Sequence, residues 1–301
     1  TVLVGSEMCI RDRMWFDREG EPLEPMGEAA AFGGFHIAPD GKKVAFCAFD
    51  GRSGAGDLWQ QDLASGVRTR LTFESADEET PIWGPVSRVL YYVRIEGNES
   101  TVMAMEPDSR SEPRELTTLP GYVTLTGISP DGAYLALGLR DSTNLNRVAV
   151  LPTEGSAELL YADAGGDDTW MMDFSPDGRW LVYASRETGR WQLYLRTWPL
   201  TSRKWQITDR GALWRAWDPT GDRLYFQWSG SEVYSVDLDL SGATPRIGRT
   251  ELAFGDFPAP VYSLHDFQMT PDGRRFLVTD AGTSEDSRPL RLVLGWQNLV
   301  P

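Results

Sequence analysis

Few residues in this chain are of the kinds that make or break bonds. Its 301 residues include two histidines, His36 and His265, and two cysteines, Cys9 and Cys47. A hydrolase would have to draw its general base from one of those histidines. Neither lies in a His-Glu-x-x-His pattern or beside a Gly-x-Ser-x-Gly elbow. The cysteines have no metal-binding or redox spacing. Cys47 stands inside an apolar run, where a thiol acts as a small filler. A glycine-rich phosphate loop, a His-Arg-Asp catalytic loop and an Asp-Phe-Gly metal motif are all missing. The expectation is a chain that is not itself an enzyme and that carries no cofactor and no metal.

Binding chemistry is better supplied. Asp77, Glu78 and Glu79 close one acidic loop; Asp167, Asp168 and Trp170 close another, which begins at Asp163. Tyr122, Asp209, Trp214, Arg215, Tyr262 and His265 hold comparable places before apolar runs. Gathered on one rim, the acids would focus a negative field that favours cations. The rings would add flat contact area and cation–π attraction. The expected ligand is cationic or polar: a peptide segment, a protein or a sugar. A charged loop surface with no ligand is the plainer alternative. The 163–168 loop offers oxygen donors of the type that hold Ca²⁺, but not the spacing of a calcium loop.

A repeat decides where those loops lie. Pro39-Asp40-Gly41 returns as Pro130-Asp131-Gly132, Pro176-Asp177-Gly178 and Pro271-Asp272-Gly273. A worn copy stands at Pro219-Thr220-Gly221 and a more degenerate one at Gly84-Pro85-Val86-Ser87. Asp131 and Asp177 are 46 residues apart, and Asp40 and Asp131 are 91 apart, which is two such periods. A fixed period of this size means an array of like units. Proline presets the first central position of a turn, and glycine accepts the positive φ that closes it.

Around each turn stand strand-length runs. In the clearest unit they are 171–174, 179–185, 191–196 and 204–208. The run after each turn is almost continuously apolar, as in Val44-Ala45-Phe46-Cys47-Ala48, which means that both faces are covered. Four-stranded blades packed face to face around an axis meet that requirement. Six units give an all-β, six-bladed β-propeller of antiparallel blades. The last unit shows three runs, 265–269, 274–279 and 290–296, so the N-terminal stretch 15–23 is expected to supply the fourth strand and close the ring.

The formal charge is −15, from 44 acidic and 29 basic residues. That argues against binding nucleic-acid phosphates or an anionic membrane surface. No run of about 18 apolar residues is present, so no membrane insertion by this chain is expected. Residues 1–13 have no period and look like the translation of a sequencing-library adaptor of the kind found in metagenomic sequence. They are expected to be a non-native leader, with a single propeller domain over 14–301.

The order of phrases carries a resemblance. Trp15-Phe16-Asp17-Arg18-Glu19-Gly20 opens it, Asp57-Leu58-Trp59 and Thr69-Arg70-Leu71-Thr72 follow, then Pro81-Ile82-Trp83 and Lys204-Trp205-Gln206-Ile207-Thr208. Phe267-Gln268-Met269-Thr270 runs into the last turn, and Leu294-Gly295-Trp296 ends the series. This set resembles the TolB-like, WD-type propellers found C-terminal to bacterial serine/threonine protein kinases. The resemblance implies a sensor or scaffold module outside the membrane, anchored through a parent kinase that this chain does not contain. It also leaves open a periplasmic TolB-like envelope protein, the propeller of a peptidase-type hydrolase, or a rim enzyme such as a lactonase or lyase.

Overall fold

The structure is a computed structural model. It describes residues 12–27, 32–49, 55–140, 144–155, 158–162, 167–227, 231–255 and 267–280, and no helix occurs among them. The chain opens with β1 (Asp12–Asp17) and β2 (Pro22–Pro25), which pair with each other, and β1 pairs in turn with a strand at the far end of the chain. Blade one is β3 (Phe32–Ile37), β4 (Lys43–Phe49), β5 (Gly56–Asp62) and β6 (Arg68–Arg70). Blade two is β7 (Asp77–Trp83), β8 (Leu90–Glu96), β9 (Glu99–Met105) and β10 (Arg114–Pro120). Blade three is β11 (Val123–Ile128), β12 (Tyr134–Arg140), β13 (Asn146–Pro152) and β14 (Leu160–Tyr161). Blade four is β15 (Thr169–Phe174), β16 (Trp180–Ser185), β17 (Gln192–Thr197) and β18 (Lys204–Gln206). Blade five is β19 (Trp214–Trp217), β20 (Arg223–Gln227), β21 (Val233–Asp239) and β22 (Arg246–Phe254). Blade six joins β23 (Phe267–Met269) and β24 (Arg275–Asp280) to β1 and β2.

The expected six-bladed, four-stranded propeller is therefore what forms. Its closure differs in one respect. The N-terminal stretch supplies two strands, not one, because 15–23 contains a hairpin turn. Asp17 Oδ1 accepts the N–H groups of Glu19 and Glu21 at 3.0 and 2.8 Å, and Gly20 takes φ 86°. β1 then pairs antiparallel with β24 from Asp12↔Asp280 to Asp17↔Arg275. The expected run 290–296 lies outside the described residues. Arg13, expected in the leader, is buried in this sheet, with its guanidinium 4.1 Å from the Phe32 ring centroid and 4.6 Å from that of Phe46.

Six hydrophobic clusters hold the blades, one at each joint. The second strand of each blade feeds two of them, because successive side chains of a strand point to opposite faces. In β16, Trp180, Val182 and Ala184 pack towards blade five, while Leu181 and Tyr183 pack towards blade three. In β24, Phe276 and Val278 meet blade five and Leu277 meets blade one. The cluster of Trp15, Leu277, Phe35, Val44 and Phe46 joins the last blade to the first.

The turns repeat in detail. Ser129, Ser175 and Thr270 each donate a hydroxyl hydrogen bond to the turn aspartate, at 2.5 to 2.6 Å. Each accepts the N–H of the residue five positions on, at 2.9 to 3.1 Å. The turn glycines lie at φ 68 to 78°, and Ser87 occupies the same left-handed position at φ 54° in the degenerate copy. The turns also nest around the ring. A Cβ on Gly132, Gly178, Gly221 or Gly273 would come within 3.1 to 3.5 Å of the proline ring in the preceding blade's turn.

Candidate functional site

The first strands, β3, β7, β11, β15, β19 and β23, are the innermost of their blades and contact one another in sequence around the axis. Their C-terminal ends run into the Pro-Asp-Gly turns. Their N-terminal ends therefore share the opposite end of the channel, where most of the sequence-predicted residues lie. The structure divides these residues into distinct groups.

Glu79 and Tyr122 are brought together. They are 43 residues apart and belong to blades two and three, yet Tyr122 Oη donates to Glu79 Oε2 at 2.7 Å. Tyr122 remains 38% exposed beside this contact. Burial pushes the Glu79 carboxyl up; the Tyr122 hydrogen bond opposes that shift, and the Asp77 charge adds to it. The Tyr122 phenol is raised, by burial first and then by the Glu79 charge. With the phenol hydrogen given to Glu79, the pair leaves its oxygens as acceptors in a partly enclosed place, suited to a polar or cationic group that donates hydrogen bonds.

Asp77 and Asp168 work as ties between blades. Asp77 Oδ1 accepts the N–H of Gly56 at 2.8 Å, and Asp168 Oδ1 accepts the N–H and the side-chain amide of Asn146, both at 2.9 Å. Each acid thus fixes the start of an inner strand to the start of the third strand in the preceding blade. Glu78 points the other way along β7. It is 1% exposed, and Thr72 Oγ1 donates to its Oε2 at 3.0 Å. Burial lifts its pKa to about 7.

Asp167 is exposed, and Trp170 lies half-buried against β12, where a Cβ on Gly138 would come 3.2 Å from its ring. Trp214 is buried, so it packs the wall and presents no rim surface. Tyr262 and His265 lie outside the described residues. His36 Nδ1 accepts the N–H of Trp83 at 3.2 Å, which makes it a link between inner strands.

Sequence reasoning missed Asp173. It sits on β15 and faces Arg215 of β19, the nearest oxygen being 3.8 Å from Nη2. Burial raises its carboxyl to about 6, against the pull of Arg215, and burial lowers the Arg215 pKa. A signal was present in the repeat. Aligned on the turn prolines, Asp173 shares its position with His36, Ile82, Gly127, Ala216 and Gln268. His36 and Gln268 at this position also make bonds between inner strands. Gln268 Nε2 donates to Phe35 O at 2.9 Å, and its Oε1 accepts from Ile37 N at 3.0 Å.

Among the described residues no group of three or more His, Cys, Asp or Glu side chains could hold a metal ion. No helix among them is long and apolar enough to cross a membrane.

Comparison with known proteins follows the geometry. No family model matches the chain. An uncharacterized protein of Agrobacterium fabrum, Atu1656, is 28% identical over 193 residues, and the match spans 61% of this chain and 62% of that protein. A solved structure assigned as TolB from Agrobacterium tumefaciens superposes with a TM-score of 0.71 at 19% identity, covering 90% of this chain and 98% of that one. TolB from Acinetobacter baumannii gives a TM-score of 0.59 at 15% identity over 80% of this chain and 64% of that one. The chain thus has the TolB-like propeller fold.

Proposed function

We propose that this TolB-like propeller is a non-catalytic binding module that works outside the bacterial cytoplasm. It recognises a polar or cationic group of a small ligand, peptide or protein at one end of its channel. The observation that carries this reading is the Glu79–Tyr122 pair, which the fold assembles from two blades at the rim where inner strands begin. The fold likeness to TolB supports an envelope role ahead of attachment to a kinase, which rests on the ordered phrases alone.

Two experiments test the proposal. In a thermal-shift screen of peptides, polyamines and oligosaccharides, a ligand should be found whose stabilisation is lost in Tyr122→Ala and Glu79→Gln. A screen in which every ligand found is indifferent to both variants would remove the rim from the site. Turnover of any substrate by the purified chain, lost on changing a rim side chain, would show an enzyme instead. The parent architecture is read from the genomic sequence upstream of the Met14 codon. A secretion signal there fits the envelope reading, whereas a kinase domain and a membrane helix fit the sensor of a receptor kinase.

A further inference from the structure

One inner-strand position is filled against the pattern of the repeat. Aligned on the turn prolines, Glu78 shares its place with Phe32, Val123, Thr169, Ala212 and Leu264. Leu264 lies outside the described residues; the other five are all buried. Phe32, Val123, Thr169 and Ala212 each meet the preceding blade there. The fold thus takes an uncharged residue at this point of a joint, and blade two supplies a carboxyl that is 1% exposed. Burying a charge is costly, so a carboxyl kept where the repeat needs none points to a role other than packing.

That carboxyl closes a strap between blades one and two. The buried N–H of Leu58, on the third strand of blade one, donates to Thr72 Oγ1 at 2.9 Å. The Thr72 hydroxyl then spends its single hydrogen on Glu78 Oε2, at 3.0 Å. Blade four carries the same strap in neutral form, at its joint with blade five. The Leu193 N–H donates to Thr208 Oγ1 at 2.9 Å, and that hydroxyl donates to Gln192 Oε1 at 2.8 Å. Gln192 is an amide, and Ala212 stands at the place that Glu78 holds in blade two. One strap of the two can therefore titrate and the other cannot.

The surroundings set the direction of its response. Cys47 of β4, Asp57 of β5, Glu74 of the connecting loop and Tyr92 and Arg94 of β8 face Glu78. Asp57 is bound to Arg70 of β6 at 2.7 Å, and Arg94 stands 3.8 Å from Glu74. On β3 the one titratable residue, His36, bonds to Trp83, and β11 has none. Burial and the two acids outweigh Arg94 and the Thr72 bond, and the Glu78 pKa rises to about 7. Phe73, Glu74 and Ser75, between the two ends of that bond, are exposed, so the connection can lift away without unfolding a blade. We propose that the joint between blades one and two is a pH-sensitive latch: the neutral Glu78 carboxyl keeps the 72–78 connection closed, and its ionisation lets that connection open to water. The latch stands apart from the rim reading and needs no ligand there.

Native-state hydrogen exchange of the full chain tests this, with each rate corrected for the pH dependence of unstructured amides. Between pH 5 and pH 8 the protection of the Leu58 N–H should fall by about a hundredfold, because opening returns the carboxyl from a pKa of about 7 to the ordinary 4.5. The Leu193 N–H, on the neutral strap, is the internal reference and should change only as far as global stability does. Glu78→Gln should bring the two amides into step. Should that variant not fold, Glu78→Ala takes its role, since alanine is the residue that blade five carries at this position. Parallel protection of Leu58 and Leu193 across the pH range in the unaltered chain would overturn the latch. So would a Leu58 response that survives substitution of Glu78, since another group would then be titrating.

Discussion

Glu78 shows how one side chain can set the pH response of a joint. It is sealed between blades one and two, and burial raises its pKa from the ordinary 4.5 to about 7. Asp57 and Glu74 push in the same direction, and Arg94 and the Thr72 hydrogen bond oppose them. The folded chain holds this proton more tightly than the unfolded chain does. The resulting stabilisation is complete below about pH 4.5 and is lost as the pH rises through about 7. Melting temperatures should therefore fall across that window through this group, and Glu78→Gln should flatten the slope in a pH series of thermal melts. Gly127 makes a second prediction at this scale. The added methyl of Gly127→Ala would strike Asp173 at its carboxylate and at Cα, 2.2 and 3.1 Å away, so backbone must move. A loss of about 1–3 kcal/mol is expected in denaturant unfolding.

Among the elements, the turns obey the repeat most closely, and the exceptions are instructive. Pro219-Thr220-Gly221 lacks the aspartate but keeps the geometry. Asp218 takes the place of the serine and accepts from Thr220 Oγ1 at 2.7 Å, and Arg18 of blade six binds the same carboxylate at 2.5 Å. The degenerate turn has Ser87 at φ 54°, a conformation that costs a non-glycine residue about 1 kcal/mol or more. Ser87→Gly should stabilise the protein by about that amount, less what is lost with the 3.1 Å bond from the Asp40 N–H to the Ser87 hydroxyl. Thermal melts check the sign. The inner strands depart from the repeat pattern too. Register shifts interrupt β3, β7, β11 and β15, and Thr80 and Met171 sit at φ 48 and 52° within two of these interruptions. Nothing in the residue types at those positions announces a positive φ, so the shape of the inner wall was not legible in the strand pattern.

For the whole molecule, the circle is closed by side chains from both chain ends. Trp15 and Leu277 pack on Phe35, Val44 and Phe46 across the last joint. Phe46→Ala should cost about 3–5 kcal/mol, because it opens a cavity where neighbouring blades lock. Calorimetry should show a lower melting temperature, and a broadened transition would show the ring losing cooperativity. The same closure explains what could be read in advance. Six turns, six doubly apolar strands and an unpaired first segment told of a ring before any coordinate did. The split of 15–23 into two strands turned on Asp17 and Gly20, a hairpin signal too short to outweigh a strand-length run.

Local chemistry wrote the blades: proline and glycine fix each turn, and apolar side chains on both faces of a strand demand neighbours on both sides. These are properties of short segments, so the amino-acid order alone determined them. The candidate site belongs to a different class of fact. Glu79 meets Tyr122, and Asp173 faces Arg215, only after neighbouring blades have packed; Asp77, Asp168 and Trp214, equally promising as residue types, are taken up by the packing itself. Which polar groups face the axis depends on the rotation of one sheet against the next, and that angle is set by the six joints acting together.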